Sequence, residues 1–249
     1  ETSVRSNGNE SKVVVNNTID QVPVKENYRT NIVGNLITST TDYNVSLENW
    51  YTPDEYVEVV TVSTAAELVA ALTPAAGTTP VEGEETNIKL EGDINLNDLF
   101  ASLTKAASVN YVTIPKGLNY TLDLNGYSLT GVDETTANFG LIQNNGNLTV
   151  TNSSATQSRI AVVATTNSGW GRYSAAISNN PGATLVVEGN VLVEHLGGTD
   201  MAYGIDNLTN GGIGDVKATI NGATVKSTYR AIRQFLNSDS KMNELTIKA

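Results

Sequence analysis

The chain has 249 residues, no cysteine and a single histidine, His195. The first absence rules out a disulfide framework and any thiolate metal site. The second rules out a histidine-rich metal centre and leaves a Ser-His-Asp arrangement with one conceivable base; no serine stands in a nucleophile elbow. Basic residues are scarce as well: 15 Lys and Arg against 26 Asp and Glu give a net charge of -11 and a pI near 4.5. That balance argues against nucleic-acid backbones and anionic membranes as partners. Long apolar runs are missing, so direct membrane insertion of this segment is not expected, and no basic-then-apolar signal segment is written in it. The chain begins at Glu1 without Met and stops directly after a strand-like segment, as a processed or partial chain would.

What is present is one pattern written four times between Phe139 and Ala249. Gly140-Leu141-Ile142-Gln143-Asn144 precedes Leu148-Thr149-Val150, and Ala176-Ile177-Ser178-Asn179 precedes Leu185-Val186-Val187. Gly204-Ile205-Asp206-Asn207 precedes Ala218-Thr219-Ile220, and Ala231-Ile232-Arg233-Gln234 precedes Leu245-Thr246-Ile247. Equivalent isoleucines lie 35, 28 and 27 residues apart, so the order of parts is kept while the loops vary. Each copy offers two or three inward side chains per strand and cannot close a core alone; it must stack on its neighbours. The copies lack the i, i+3, i+4, i+7 spacing of helical repeats, and their segments are too short and their connections too uneven for propeller blades. The fold class that remains is all-β, a right-handed parallel β-helix in which Ile177, Ile205 and Ile232 form one internal file. Asn145, Asn180 and Asn207 recur at the turns, where asparagine tolerates left-handed geometry and its amide can ladder to the next coil.

Before the repeats, Glu1–Ser11 is polar and aperiodic and reads as a linker. Residues 12–56 read as a β-strand segment, with a hairpin of Asn31–Thr38 and Tyr43–Trp50. The Pro- and acid-bearing stretch Trp50–Tyr56 marks the domain boundary, and residues 57–249 form the β-helix. Thr64-Ala65-Ala66-Glu67 has capping-box spacing and opens a helix over Thr64–Leu72, with Leu68, Ala71 and Leu72 as its apolar stripe. Such a helix suits the first coil of a solenoid, whose apolar interior and unpaired strand edge otherwise face water. Coils continue through Val112-Thr113-Ile114, Tyr120–Gly126 and Leu129, with one helical turn at Leu99-Phe100.

The run Val22-Pro23-Val24-Lys25-Glu26-Asn27-Tyr28-Arg29-Thr30-Asn31-Ile32-Val33-Gly34-Asn35-Leu36-Ile37-Thr38 resembles a segment of Gram-negative gut-bacterial surface lipoproteins. There it closes a fimbrillin-like β-sandwich that is followed by a pectin-lyase-like β-helix. The strand, short Ala-rich helix and Ile88-Lys89-Leu90-Glu91-Gly92-Asp93-Ile94 are similar to the opening of many pectin-lyase-like domains. The resemblance implies that residues 12–56 are the remnant of an N-terminal sandwich. It also implies a cell-surface or extracellular place, anchored at the outer membrane in the full-length protein.

The chemistry offered is thin. Glu188, Glu194, Asp200, Asp206 and Asp215 are available for a glycosidase pair, but no adjacent Asp-Asp phrase occurs in this region. Polysaccharide lyases on this fold use a Lys or Arg base with calcium on stacked carboxylates. Arg230 and Arg233 flank a strand one coil beyond Asp206 and could meet it, in the simplest form as an outward salt bridge worth little. Gly211-Gly212-Ile213-Gly214 lacks the strand-then-helix setting of a phosphate cradle and reads as a loose turn. The glycine-flanked Trp170, with Arg172 and Tyr173, offers an aromatic face and a cation for a sugar, or a lid folded back on the coil. Tyr203 and Tyr229 extend that flank as a tyrosine column. These features point to a non-catalytic extracellular module, an adhesin or glycan-binding stalk, needing no cofactor and taking a polysaccharide or surface glycan as partner. The rival is a polysaccharide lyase or glycoside hydrolase acting on acidic polysaccharide, with calcium in the lyase case.

Overall fold

A computed structural model describes residues 2–6, 9–13, 28–34, 43–49, 58–74, 83–100, 109–134, 138–165, 173–198, 201–208, 214–235 and 243–248. The chain divides into two compact units, Glu1–Val57 and Glu58–Ala249. In the first, β1 (Thr2–Ser6) pairs antiparallel with β2 (Asn9–Val13), so the stretch read as a linker carries strand. β3 (Tyr28–Gly34) pairs antiparallel with β4 (Tyr43–Asn49), with Gly34 opposite Tyr43. The hairpin therefore begins three residues earlier than its sequence suggests.

The second unit opens with β5 (Val59–Val62) and α1 (Ala65–Leu72). The first coil follows as β6 (Glu85–Leu90), β7 (Ile94–Asn95), the single turn α2 (Asn97–Phe100) and β8 (Val109–Ile114). The next is β9 (Asn119–Asp123), β10 (Ser128–Asp133) and β11 (Phe139–Asn144). The third is β12 (Asn147–Thr151), β13 (Ser158–Ala164) and β14 (Ser174–Asn179). The fourth is β15 (Thr184–Glu188), β16 (Val191–Gly197) and β17 (Ala202–Leu208). The fifth is β18 (Val216–Asn221), β19 (Thr224–Ser227) and β20 (Arg230–Phe235), and β21 (Asn243–Lys248) begins another. Corresponding strands of successive coils pair in parallel and build three sheets. The first runs β5-β6-β9-β12-β15-β18-β21, the second β7-β10-β13-β16-β19 and the third β8-β11-β14-β17-β20. The protein is a parallel β-solenoid.

Its stability rests on files of side chains that no single coil could keep dry. In the third sheet Val112, Ile142, Ile177, Ile205 and Ile232 stand in register one above another. The middle three are at most 1% exposed. In the first sheet the file is Val60, Ile88, Leu122, Val150, Val187, Ile220 and Ile247. Burying each such side chain contributes about 1.5–3 kcal/mol, which a two- or three-residue inward face per strand collects only by stacking. At the turn between β11 and β12 the backbones approach closely enough to require glycine. A methyl on Gly146 would lie 2.2 Å from the Pro115 carbonyl oxygen and 2.7 Å from that of Leu118.

Between the third and first sheets runs a polar file. Asn144, Asn179 and Asn207 stand in register at the ends of β11 and β14 and next to the end of β17, are fully buried, and pass a hydrogen bond from coil to coil. Asn144 Nδ2 donates to Asn179 Oδ1 at 2.8 Å, and Asn179 Nδ2 to Asn207 Oδ1 at 2.7 Å; Asn207 Nδ2 in turn donates to Gln234 Oε1. The same amide nitrogens also reach the next coil's backbone, at Thr184 O (2.9 Å) and Lys217 O (2.8 Å). The ladder grouped from sequence, Asn145 with Asn180 and Asn207, is therefore corrected by one position. Asn180 Nδ2 does donate to Asn145 Oδ1 at 2.8 Å, in a shorter, half-buried rung beside the main file. Asn207 belongs with Asn144 and Asn179 because pairing register sets it beside Asn179, although β17 runs one residue further, to Leu208.

At the β5 end, α1 carries the full capping box. Thr64 Oγ1 accepts from Glu67 N at 3.2 Å, while Glu67 Oε2 accepts from Thr64 N at 3.1 Å and Ser63 N at 2.8 Å. These bonds, led by the one from the Ser63 backbone, hold the Glu67 carboxyl below its ordinary range. Leu68 and Leu72 are buried in the same core as the files, and Tyr120 Oη donates to Leu72 O.

Candidate functional site

The outer face of the third sheet gathers several of the candidate side chains, Tyr203, Asp206, Arg230 and Arg233. Consecutive pairs Leu141-Ile142 and Ala176-Ile177 both enter the core, which breaks strict alternation once in each strand. On the far face this leaves two rows. One contains Ala175, Tyr203 and Arg230, and the other Gln143, Ser178, Asp206 and Arg233.

Arg233 is the centre of the arrangement. Its Nε donates to Asp206 Oδ1 and its Nη2 to Asp206 Oδ2, both at 2.6 Å, as a fork-to-fork pair. Its guanidinium carbon lies 4.5 Å from the Tyr203 ring centre, 5.2 Å from Tyr173 and 5.5 Å from Phe235. Vertical pairing of Asp206 with the next coil is thus the arrangement found. The pair stands on the outer side of the sheet yet is not exposed: the Asp206 side chain is 0% exposed and that of Arg233 11%. Burial pushes the Asp206 carboxyl up against the pull of the Arg233 contacts. On Arg233 burial acts downward, but the Asp206 carboxylate outweighs it and the guanidinium stays firmly charged. The Tyr173 and Tyr203 hydroxyls are both raised, chiefly by burial.

Arg230 does not join Asp206. It is exposed, stands beside Tyr203 in register, and lays its guanidinium 4.9 Å from the Tyr229 ring centre. Tyr229 is 39% exposed and meets the buried Tyr203 edge-to-face at 6.0 Å. The tyrosine column is therefore a contact between neighbouring coils and not one vertical row. Phe235, 42% exposed, completes the patch; its place was legible in the period-two spacing from Arg233 but was not picked out. Ser178, also missed, sits in register with Asp206, 4% exposed, its hydroxyl without a hydrogen-bond partner. Trp170 and Arg172 lie outside the described residues, as do Asp200 and most of the Gly211–Gly214 turn.

The carboxylates considered for hydrolysis are dispersed. Glu188 lies on the first sheet, Glu194 on the second, where Arg159 Nε donates to it, and Asp206 on the third, committed to Arg233. His195 is fully buried, with Nε2 2.7 Å from Ser174 Oγ across the corner between the second and third sheets. Its position continues the inward file of Val162, which is a structural placement. Among the described residues no group of three or more acidic or histidine side chains converges as a metal site. Chemically, the face offers a rigid buried ion pair beneath an exposed Tyr229–Arg230–Phe235 surface: ring faces and a guanidinium fork, with the cation nearest a carboxylate held by it. Comparison with protein-family models, curated proteins and solved structures found no match.

Proposed function

We propose that this chain is a non-catalytic module of the cell surface or extracellular space, a pectin-lyase-like, right-handed β-solenoid whose third sheet contacts a glycan. The carrying observation is the exposed Tyr229–Arg230–Phe235 surface standing on the buried Asp206–Arg233–Tyr203 base. Exposed rings stack on the apolar faces of sugars, and a guanidinium fork recognises carboxylates and vicinal hydroxyls. The base keeps these groups in fixed positions, which lowers the ordering cost of binding. The resemblance to surface lipoproteins supports the extracellular, outer-membrane-anchored setting, and the dispersed carboxylates and the engaged Arg233 support binding over cleavage. A glycan array probed with the wild type, Tyr229→Ala and Phe235→Ala tests this; a signal that weakens at least tenfold in both variants is expected. Equal signals in all three, or none, removes the sugar reading. Release of an ultraviolet-absorbing unsaturated product from uronic-acid polymers, with or without calcium, would establish a lyase instead.

A further inference from the structure

Strands β6, β9, β12, β15, β18 and β21 pair without a slip, so the outward side chains of the first sheet stand in three straight rows along the solenoid axis. One edge row begins at Glu85 and ends at Lys217 and Glu244. The other begins at Lys89 and Asp123 and ends, past Glu188, at Lys248. The central row, from Asn87 to Thr246, carries no charge and is largely β-branched, with Val186 in its middle. Glu85, Lys217, Glu244 and Lys248 are exposed, the Lys89 side chain is 37% exposed, and no member of the central row is buried.

Such a face can meet a second copy of itself in two symmetric ways, and the charges distinguish them. A two-fold axis along the strands reverses the order of coils, so Glu85 faces Glu244 and Lys89 faces Lys248, like against like at both ends. An axis along the solenoid keeps the order of coils and reverses the strands, so the two edge rows exchange. Glu85 then faces Lys89 and Glu244 faces Lys248, each pair occurring twice, and the uncharged row faces itself. No like charges face directly in this arrangement. On the diagonals Lys217 is balanced between Glu188 and Lys248, and Asp123 keeps its own Lys89 at 3.8 Å. We propose that this chain forms a closed dimer through the outer face of its first sheet, two solenoids side by side and pointing the same way. The contact uses the face of the stack and neither of its ends. Six strands about 4.8 Å apart and five residues of about 3.3 Å give each copy about 480 Å², hence a total of about 1,000 Å², at the low end of specific interfaces. The dimer is therefore weak and concentration-dependent, helped by threonine and valine side chains with little freedom to lose.

Sedimentation velocity on the full chain tests this. The wild type is expected to pass from monomer to dimer as concentration rises and to go no further. Its dissociation constant should rise at least tenfold between about 0.05 and 0.5 M salt, because the facing charges are exposed. One variant carries Lys89→Glu with Lys248→Glu, and another Glu85→Lys with Glu244→Lys. Each sets like charges against each other in its own dimer and is expected to stay monomeric. Mixed, the two place opposite charges at every facing pair, and a 1:1 heterodimer is expected. Circular dichroism and melting temperature verify folding. Val186→Arg, which sets a charge against its own copy on the axis, tests the same face without touching the Lys89–Asp123 pair and is also expected to be monomeric. A wild type that stays monomeric or grows beyond a dimer, a folded variant that dimerises as the wild type does, or a mixture that does not associate each overturns the proposal.

Discussion

The asparagine file gives the sharpest test of how the coils hold together. Asn179 is fully buried, accepts from Asn144 Nδ2, and donates to Asn207 Oδ1 and Lys217 O. Asn179→Leu keeps the branched outline of the side chain and removes all three bonds. Asn144 Nδ2 retains Thr184 O, so its loss is partial. Asn207 Oδ1 loses its donor, and a buried acceptor left without one costs about 1–3 kcal/mol; Lys217 O, which lies in the β15–β18 ladder, loses only a second bond. Some apolar gain offsets part of this, for an expected net loss of roughly 1–2 kcal/mol. The comparison is Asn147→Leu. Asn147 makes the same kind of rung, donating to Asn119 Oδ1 at 2.7 Å, but it is exposed, where water replaces the partner and the change should stay within about 0.5 kcal/mol. Urea unfolding of both variants, with m-values unchanged, reads the difference. If Asn179→Leu is no worse than Asn147→Leu, the buried ladder does not hold the corner.

Three further outcomes follow from named contacts. Arg233→Met strands the buried Asp206 carboxylate and should cost about 3–5 kcal/mol in urea unfolding, while Asp206→Leu combined with Arg233→Met should recover most of it, because the uncompensated charge is gone. Gly146→Ala pushes a methyl into the Pro115 and Leu118 carbonyls and should lower stability by about 1–3 kcal/mol, with no such loss at Gly117, where nothing lies within 4 Å but a positive φ of 79° leaves a smaller strain. For Asp123, burial raises the carboxyl, but hydrogen bonds from Ser153 and Asn125 and the nearby Lys89 outweigh it, so the folded-state pKa lies below the ordinary 3.8. The stability this gives is present above that ordinary value and lost as pH falls through the lower folded one; Asp123→Asn should flatten the acid limb of a stability-against-pH curve there, and an unchanged limb would refute it.

Much of the architecture was legible because stacking demands repetition. Equivalent isoleucines recur whatever the loop length, so Ile177, Ile205 and Ile232 could be aligned by order alone, and the vertical meeting of Asp206 and Arg233 followed. The capping box was legible because its bonds are local to Ser63–Glu67. The one-residue error in the asparagine file arose because a turn asparagine and a strand-final asparagine are adjacent in Asn144-Asn145 and Asn179-Asn180, and only pairing register separates them. The burial of Asp206 was not legible either. It goes with Arg233, which reaches over from the next coil and is itself flanked by the rings of Tyr173 and Tyr203, on a face that strand alternation assigns to water.

Distances between coils test the stack most directly. With no native cysteine, spin labels can be placed on Thr246 and, in turn, on Val186, Thr149 or Thr121, which share one outward row of the first sheet. Dipolar spectroscopy, with labelled protein diluted in unlabelled, should give narrow distributions whose backbone separations rise by about 4.8 Å per coil, near 10, 14 and 19 Å. Distances that fail to climb in equal steps, or that spread broadly, would contradict a parallel solenoid in which residues over a hundred positions apart keep each other dry.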